Sequence, residues 1–445
     1  MTHLGRRKML GMSVASVATA ALGSCVKPLA VDNVNASPTI PSSDTPVTLS
    51  WWSGMRGPQT VCDIFNTTQD RIRVEATSIP GPGDGGNAKL LSAVAAGAGP
   101  DIGQVELRDT NEFALAGALV DIGRYGAWAV ESQIDPAAWS QVVVADSVYG
   151  IPHDTGPAAM FYQEPLFEAL GAVPPASWEE WSELAQGVRD HDPTHYLSAL
   201  NVSGGDLTMY AMQAGAVWFQ AEPDGWIVNM TDDVSRGVAE FWDHAIANDL
   251  VTTTIPPWST PWFAAAGEGR IYSHIEGSWA DGLLKAVPNG HGKWRVAPMP
   301  RWDTGYASGQ SGGSCGAVMA HSEHPAEALE FLTWMCTSQP GVDAMIEHLG
   351  IGWSPMAGYI GAERLEPSAF FGGQSYNEDV LVPMSNGQNL NWLWPPVCQR
   401  FMDILGDGMR SRVAGDTRLV DFLPRAQEQI IEIMRNMGLN VRAPR

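Results

Sequence analysis

Positive charge is scarce in this sequence. Its 26 Lys and Arg, only five of them Lys, stand against 49 Asp and Glu, for a net charge of −23. Such a balance repels phosphate backbones and anionic lipid faces, which argues against nucleic acid and charge-driven membrane contact. Cysteine is rare too, five in 445 residues without a Cys-x-x-Cys, so neither a disulfide scaffold nor a zinc or thiol-redox motif is implied, and no metal or cofactor is expected. Apart from one N-terminal run, no stretch approaches the length of a membrane helix. What is abundant is Trp: 18, against nine Tyr and 12 Phe. An indole offers a wide apolar face and one N–H donor, which suits stacking on flat ligand surfaces as well as core packing. The length is about three times that of one compact domain, and 44% hydrophobic with 17% charged residues describes a globular body of two lobes.

Arg6-Arg7-Lys8 precedes an apolar run from Met12 to Leu22 that is too short to span a bilayer permanently, so residues 1–24 read as a signal peptide. The paired arginines fit twin-arginine export loosely, and general secretory export stays open. Leu22-Gly23-Ser24-Cys25 resembles a lipobox, with cleavage before Cys25 and a lipid on that residue. Residues 25–46, rich in Pro, Ser, Thr and Asn, then form a tether, and membrane contact is expected only through the lipid. Four cysteines follow, Cys62, Cys315, Cys336 and Cys398; an oxidising compartment permits up to two disulfides, and three full pairings are open.

The body alternates strands and helices. Val47–Trp52 reads as a strand, Thr60–Thr68 as a helix, Ile72–Ile79 as a strand, Asn87 as the cap of a helix through Val94, and Pro100–Val105 as a third strand, predicting a parallel sheet. Of Trp51 and Trp52, which point to opposite faces, Trp52 is taken as the core residue. Ser177-Trp178-Glu179-Glu180 is a capping box, and Thr231 heads an amphipathic segment through Ala247. Trp294–Pro300 and Ala317–Ala320 read as strands, Pro325 opens a helix, and Pro396–Val413 and Pro424–Met437 read as terminal helices.

Several motifs match without fitting their context. Gly81-Pro82-Gly83-Asp84-Gly85-Gly86 satisfies G-x-G-x-x-G with Glu106 twenty residues on, but Pro82 and the extra glycines make a loose loop rather than the tight strand-to-helix turn that a dinucleotide needs. Gly309–Gly313 and Gly312–Gly316 match G-x-S-x-G, yet a strand follows where a nucleophile elbow requires a helix. With 49 acidic residues a glycosidase pair can be nominated anywhere. Pro193 spoils the shared helical face that His191 and His195 would need to hold a metal.

Ala95-Ala96-Gly97-Ala98-Gly99-Pro100-Asp101-Ile102 resembles the Ala-Gly-x-x-Pro-Asp-apolar signature of family 1 bacterial extracellular solute-binding proteins, the capture subunits of ATP-binding cassette (ABC) importers. Further blocks follow in that family's order: Tyr149–Pro157 with Phe161-Tyr162 and Leu166-Phe167, then Pro174–Glu180, then Glu276-Gly277-Ser278-Trp279, then Gly312–Ser314 through Phe331-Leu332. The likeness spans residues 47 to about 350. It implies an α/β, periplasmic-binding-protein-like fold of two lobes that close by hinge bending on a ligand in the cleft between them. The first lobe would be 47–154 with 306–350, and the second 155–305 with 351–445. The implied protein is no enzyme. It is a monomeric, extracytoplasmic, lipid-anchored carrier that captures a sugar or oligosaccharide and hands it to importer permease subunits. A polyol or glycerophosphodiester is the alternative ligand, and a secreted glycosidase or other hydrolase the alternative class.

Open α/β sheets bind ligands at strand ends and in the loops beyond them. That rule nominates Ser53 after the first strand, Glu106 after the third, Asp154 at the crossover and Gly313 before a strand. Carboxylates of Glu106 and Asp154 would accept hydroxyl hydrogens, while Trp279 foremost, with Trp353 and Trp392, would stack on a sugar ring. Gln213 completes the candidate set.

Overall fold

The computed structural model describes residues 46–82, 85–144 and 146–444. The signal segment, Cys25 and the tether up to residue 45 lie outside the described residues, as do Gly83 and Asp84 of the glycine-rich motif.

One seven-stranded sheet runs through the molecule. In chain order its strands are β1 (Val47–Ser53), β2 (Ile72–Ser78), β3 (Ile102–Glu106), β4 (Ile151–Gln163), β5 (Ser273–Gly277), β6 (Trp294–Ala297) and β7 (Gln310–Val318). They lie in the order β2-β1-β3-β7-β4-β5, with β6 also on β4. The βαβαβ rhythm makes β1 parallel to both β2 and β3, and β7 then runs antiparallel to β3 and β4. Strand β4 is the long member: Ile151–Pro157 pairs with β7, and Ala158–Gln163 pairs with β5 and β6. Two hydrophobic cores flank that change of partner. One gathers side chains between Val47 and Ile151 and between Cys315 and Ile351, the other those between Ala158 and Ala307 and between Trp353 and Val441.

Local chemistry explains where elements begin. Ser177 Oγ accepts from Glu180 N (3.1 Å) and the Glu180 carboxylate accepts from Ala176 N (2.7 Å), so the capping box opens helix Trp178–His191. Asp232 rather than Thr231 caps helix Asp233–Ala247, its carboxylate accepting from Ser235 N. Gly85, at φ +100°, heads helix Gly86–Ala95, and Asn87 instead donates to Asp109 Oδ2 (2.6 Å). The last helix starts at Leu419, before Pro424, because Asp243 takes the N–H groups of Leu419 and Val420 and replaces the partners that a helix start lacks. Cys398–Ala414 is the helix before it.

The Trp excess is mostly core, with 11 of the 18 indoles buried. Trp178 meets Trp181, Tyr210, Phe241, Trp242 and Trp302 with ring centroids 5.2–5.8 Å apart. On β1 it is Trp51 that is buried, against Phe331 at 5.7 Å, whereas Trp52 is half-buried with Lys89 Nζ 5.0 Å above its ring. Cys62, Cys315, Cys336 and Cys398 are buried free thiols, and burial pushes Cys62 and Cys315 up to about 12, which keeps them protonated and inert.

Candidate functional site

Strands β4 and β7 cross between the cores, and the sequence there is built for close backbone approach. A Cβ on Gly156 would lie 1.8 Å from the Ser311 carbonyl oxygen, so only glycine fits. The pairing of β7 with β4 slips between Gln310 and Gly313, and Gly313 sits at φ +111°. Register then places Glu106, Ser314 and Asp154 side by side on β3, β7 and β4.

Around this crossing both cores contribute to a cavity of about 60 Å³. Glu106, Arg108, Gln141 and Gly313 line it from the first core's side and Gly205, Thr208, Trp394 and Met402 from the second's, with Gln310, Ser311 and Gly312 between. Drug-sized ligands occupy clefts of about 300–1,000 Å³, so a disaccharide enters only if the two sides part.

Amide groups tie the walls together. Gln310 Nε2 donates to Thr155 Oγ1 (3.0 Å), Gln141 Nε2 to Gln310 Oε1, and Trp394 Nε1 to Gln141 Oε1 (3.1 Å), while Asn111 Nδ2 donates to the Trp394 carbonyl. Glu112, half-buried, accepts the N–H of Gln399 at 3.0 Å.

The carboxylates differ in what holds them. Arg108 Nε lies 2.6 Å from Glu106 and 3.8 Å from Asp109. Burial pushes Asp109 above the usual carboxylate range, opposed by Arg108 and Asn87. Asp154 Oδ1 accepts the N–H groups of Gly352 (3.0 Å) and Trp353 (3.1 Å), the third passage of the chain between the cores. Asp154 keeps some surface, but protein crowds it closely enough that desolvation raises it to about 6, against those two N–H groups and Arg364. On the second core's side, Asp206 accepts from Asn201 N (2.9 Å), and Glu276 accepts from Gly277 N (2.9 Å) and Trp258 Nε1 (3.5 Å). Burial raises both, and Glu276 raises Asp206 further because neighbouring like charges cannot both ionise cheaply. Trp258 holds φ +64°, a strained backbone for an aromatic residue, with its ring 5.6 Å from that of Trp279. The Trp279 indole is half-buried and donates to the Ser311 carbonyl at 2.9 Å.

Residues 63–340, more than half of the chain, match the bacterial extracellular solute-binding proteins. The chain belongs to that family. Among relatives, the lactose-binding protein of Rhizobium radiobacter is 28% identical over 54% of this chain and 58% of its own length, so the match spans little more than half of that relative. The arabinooligosaccharide-binding protein of Halalkalibacterium halodurans is 23% identical over 78% of this chain and 80% of its own. The galacto-N-biose/lacto-N-biose I-binding protein of Bifidobacterium longum, solved with lacto-N-biose, shares the fold at a TM-score of 0.78 and 24% identity, covering 90% of this chain and all of that one. The two-lobed α/β architecture of this solute-binding protein is thereby placed among sugar-binding structures.

Of the residues nominated from sequence, the solute-binding protein brings Glu106 and Gly313 to the cavity, with Asp154 and Trp279 at the crossing beside it. The other four are buried in structural work. Ser53 bonds Gln104 Oε1 (3.1 Å) and Met55 N. Gln213 accepts from Trp178 Nε1 (3.0 Å) and donates to the Pro300 carbonyl (2.7 Å). Trp353 packs in the second core, its N–H on Asp154 and its carbonyl accepting from Thr155. Trp392 is packed between Trp218 and Trp394. Sequence reading missed Arg108, Gln141, Asp206, Trp258, Gln310 and Trp394, whose nearness arises from pairings such as Asn111 with Trp394, 283 residues apart. The G-x-S-x-G serines lie within β7, and Ser314 meets His153 Nε2 at 3.0 Å, but both are buried and His153 Nδ1 has no partner, so no oriented base is assembled there. Among the described residues no cluster of three or more His, Cys, Asp or Glu could hold a metal ion, and no helix is long and apolar enough to cross a membrane.

Proposed function

We propose that the protein captures a saccharide in the cleft between its lobes and delivers it to the permease subunits of an ABC importer. The observation that carries this reading is the crossing itself: a cavity walled from both cores, next to indole faces and carboxylates, over strands whose glycines permit bending. A pyranose offers an apolar C–H face and a girdle of hydroxyl groups. Trp279 and Trp258 take the face, while Glu106, Asp206 and Glu276 accept hydroxyl hydrogens and Gln141 and Gln310 serve as donors or acceptors. Asp154 is assigned to the hinge, where its carboxylate clamps the Gly352-Trp353 backbone. The lobes in this reading are 47–154 with 306–350 and 155–305 with 351–445. The relatives named for lactose and arabinooligosaccharide binding support a carbohydrate over a polyol or glycerophosphodiester. Binding without turnover separates the carrier from a hydrolase.

The lipobox reading makes Cys25 the anchor of an exported monomer; Cys25→Ser should move the protein from the membrane fraction to the medium. A thermal-shift screen with lactose, lacto-N-biose and arabinobiose tests the ligand class, since a ligand of the folded state alone raises the melting temperature. A rise with any of them, and recovery of that sugar unchanged, is the expected result. Cleavage of the sugar would replace this reading with a hydrolase.

A further inference from the structure

The charges around the crossing are lopsided. Arg108 is the only cation lining the cavity among the described residues, and two carboxylates, Glu106 and Asp109, already hold it. At the hinge Arg364 is bound to Asp281 at 3.1 Å, with Asp154 as a second anion near it. On the second lobe's side Asp206, between the cavity-lining Gly205 and Thr208, and Glu276, bonded to the hydroxyl of cavity-lining Ser311, are both more than nine-tenths buried. Among the described residues no Lys or Arg lies within ion-pair distance of either, and the one basic group within that distance is His274, 3.8 Å from Glu276. Burial keeps that imidazole neutral, and neither ring nitrogen has a hydrogen-bond partner. Around the crossing the carboxylates outnumber the cations, and both arginines are already held by carboxylates.

From this geometry we infer that the cleft is selective for uncharged saccharides and rejects anionic ones, uronates and phosphodiesters alike, with Asp206 and Glu276 as the residues that set the selection. The inference rests on the saccharide reading and narrows it. Burial raises both carboxylates, and their oxygens are the acceptors that the hydroxyl groups of a neutral ring can meet. A carboxylate or phosphate on the ligand would instead meet their negative charge in a cavity where little water screens it. At a separation of several ångströms and an intermediate dielectric this repulsion weakens binding by about a hundredfold.

Calorimetric titration of the full chain with lactose, lacto-N-biose and arabinobiose, beside digalacturonate and glycerophosphoglycerol, tests it. At least one neutral sugar should bind, with both anions weaker by about a hundredfold or more. The double variant Asp206→Asn with Glu276→Gln, isosteric and uncharged, should narrow that gap by about tenfold. Digalacturonate binding as tightly as the best neutral sugar would overturn the charge selection and leave the saccharide reading standing. A gap that the double variant leaves untouched would overturn the assignment to these two residues. Silence from every saccharide would overturn both readings.

Discussion

On the first lobe's side of the crossing each carboxylate beside the cavity has a basic or amide partner, Glu106 on Arg108 and Asp109 on Arg108 and Asn87. On the second lobe's side Asp206 and Glu276 are held by backbone N–H, hydroxyl and indole groups, and their surroundings are the rings of Trp258, Tyr210 and His274. The first wall is therefore set in geometry and locally compensated. The second keeps acceptor capacity and flat faces in reserve. Affinity for a sugar should reside mainly in the second wall, and the first should act through closure.

The sharpest way to break that division is to compare two indoles of the second lobe. Trp178→Ala removes a ring buried among five aromatic neighbours and should cost about 3–5 kcal/mol of folding free energy in urea denaturation. Trp279→Ala should cost less stability and weaken saccharide binding by about 1–3 kcal/mol. The reverse pattern, early unfolding and native affinity for Trp279→Ala, would return that indole to the core.

Acid gives the next largest effect. His153 and His274 are both lowered by burial from 6.5 to about 3. The folded state thus binds fewer protons than the unfolded chain, so their stabilisation is complete above about pH 6.5 and is lost as the pH falls towards 3. At pH 5 each should have cost about 2 kcal/mol. Asp154, raised to about 6, acts in the opposite sense, favouring the fold as the pH falls from about 6 to 4. The difference between wild type and a His variant is consequently the clean readout. His274→Leu should flatten the pH 7 to pH 5 loss, because the ring nitrogens it removes had no partners, whereas His153→Leu also removes a hydrogen-bond partner of Ser314, leaving it Gln104. An unchanged pH slope in His274→Leu would show that its burial does not control acid stability.

Smaller again is the contact between lobes at Glu112, whose carboxylate meets the Gln399 N–H at the start of helix Cys398–Ala414. A helix N-terminus favours an anion by about 0.3–1 kcal/mol. Glu112→Ala should weaken saccharide binding by about two- to fivefold without altering the melting temperature of the ligand-free protein beyond a few degrees. A much larger loss of affinity would place Glu112 on the ligand instead.

The first three strands were legible because hydrophobic runs and turn residues are local properties of the chain, whereas the crossing came from the family resemblance of Tyr149–Pro157, and Ser273–Gly277 was not read as a strand. Sequence nominates Asp154 as a ligand acceptor at the crossover and Gly313 as preceding a strand; Asp154 instead clamps the Gly352-Trp353 backbone, and Gly313 lies within the strand Gln310–Val318. Gln213 shows where the logic stops: its amide is consumed by Trp178 and Pro300, 35 and 87 residues away, and nothing in Met212-Gln213-Ala214 announces either partner. Trp353 and Trp392 read as stacking faces because aromatic identity is visible and burial is not. Conversely, Asp206 and Glu276 lie 70 residues apart on a helix and a strand, and only the packed second lobe puts them together. The strained backbone of Trp258 leaves no mark in Pro256-Pro257-Trp258-Ser259.

The central claim is that the second wall reads a neutral sugar, and affinity measured side by side for two variants tests it most directly. Calorimetry with whichever of lactose, lacto-N-biose or arabinobiose binds wild type should find Glu276→Gln weakened about tenfold or more, as expected for loss of a charge-assisted acceptor, and Ser53→Ala, altered on the first core's side in a side chain that bonds Gln104, within about twofold of wild type. Native affinity in Glu276→Gln together with a collapse in Ser53→Ala would contradict the account and move the site to the strand ends of the first lobe.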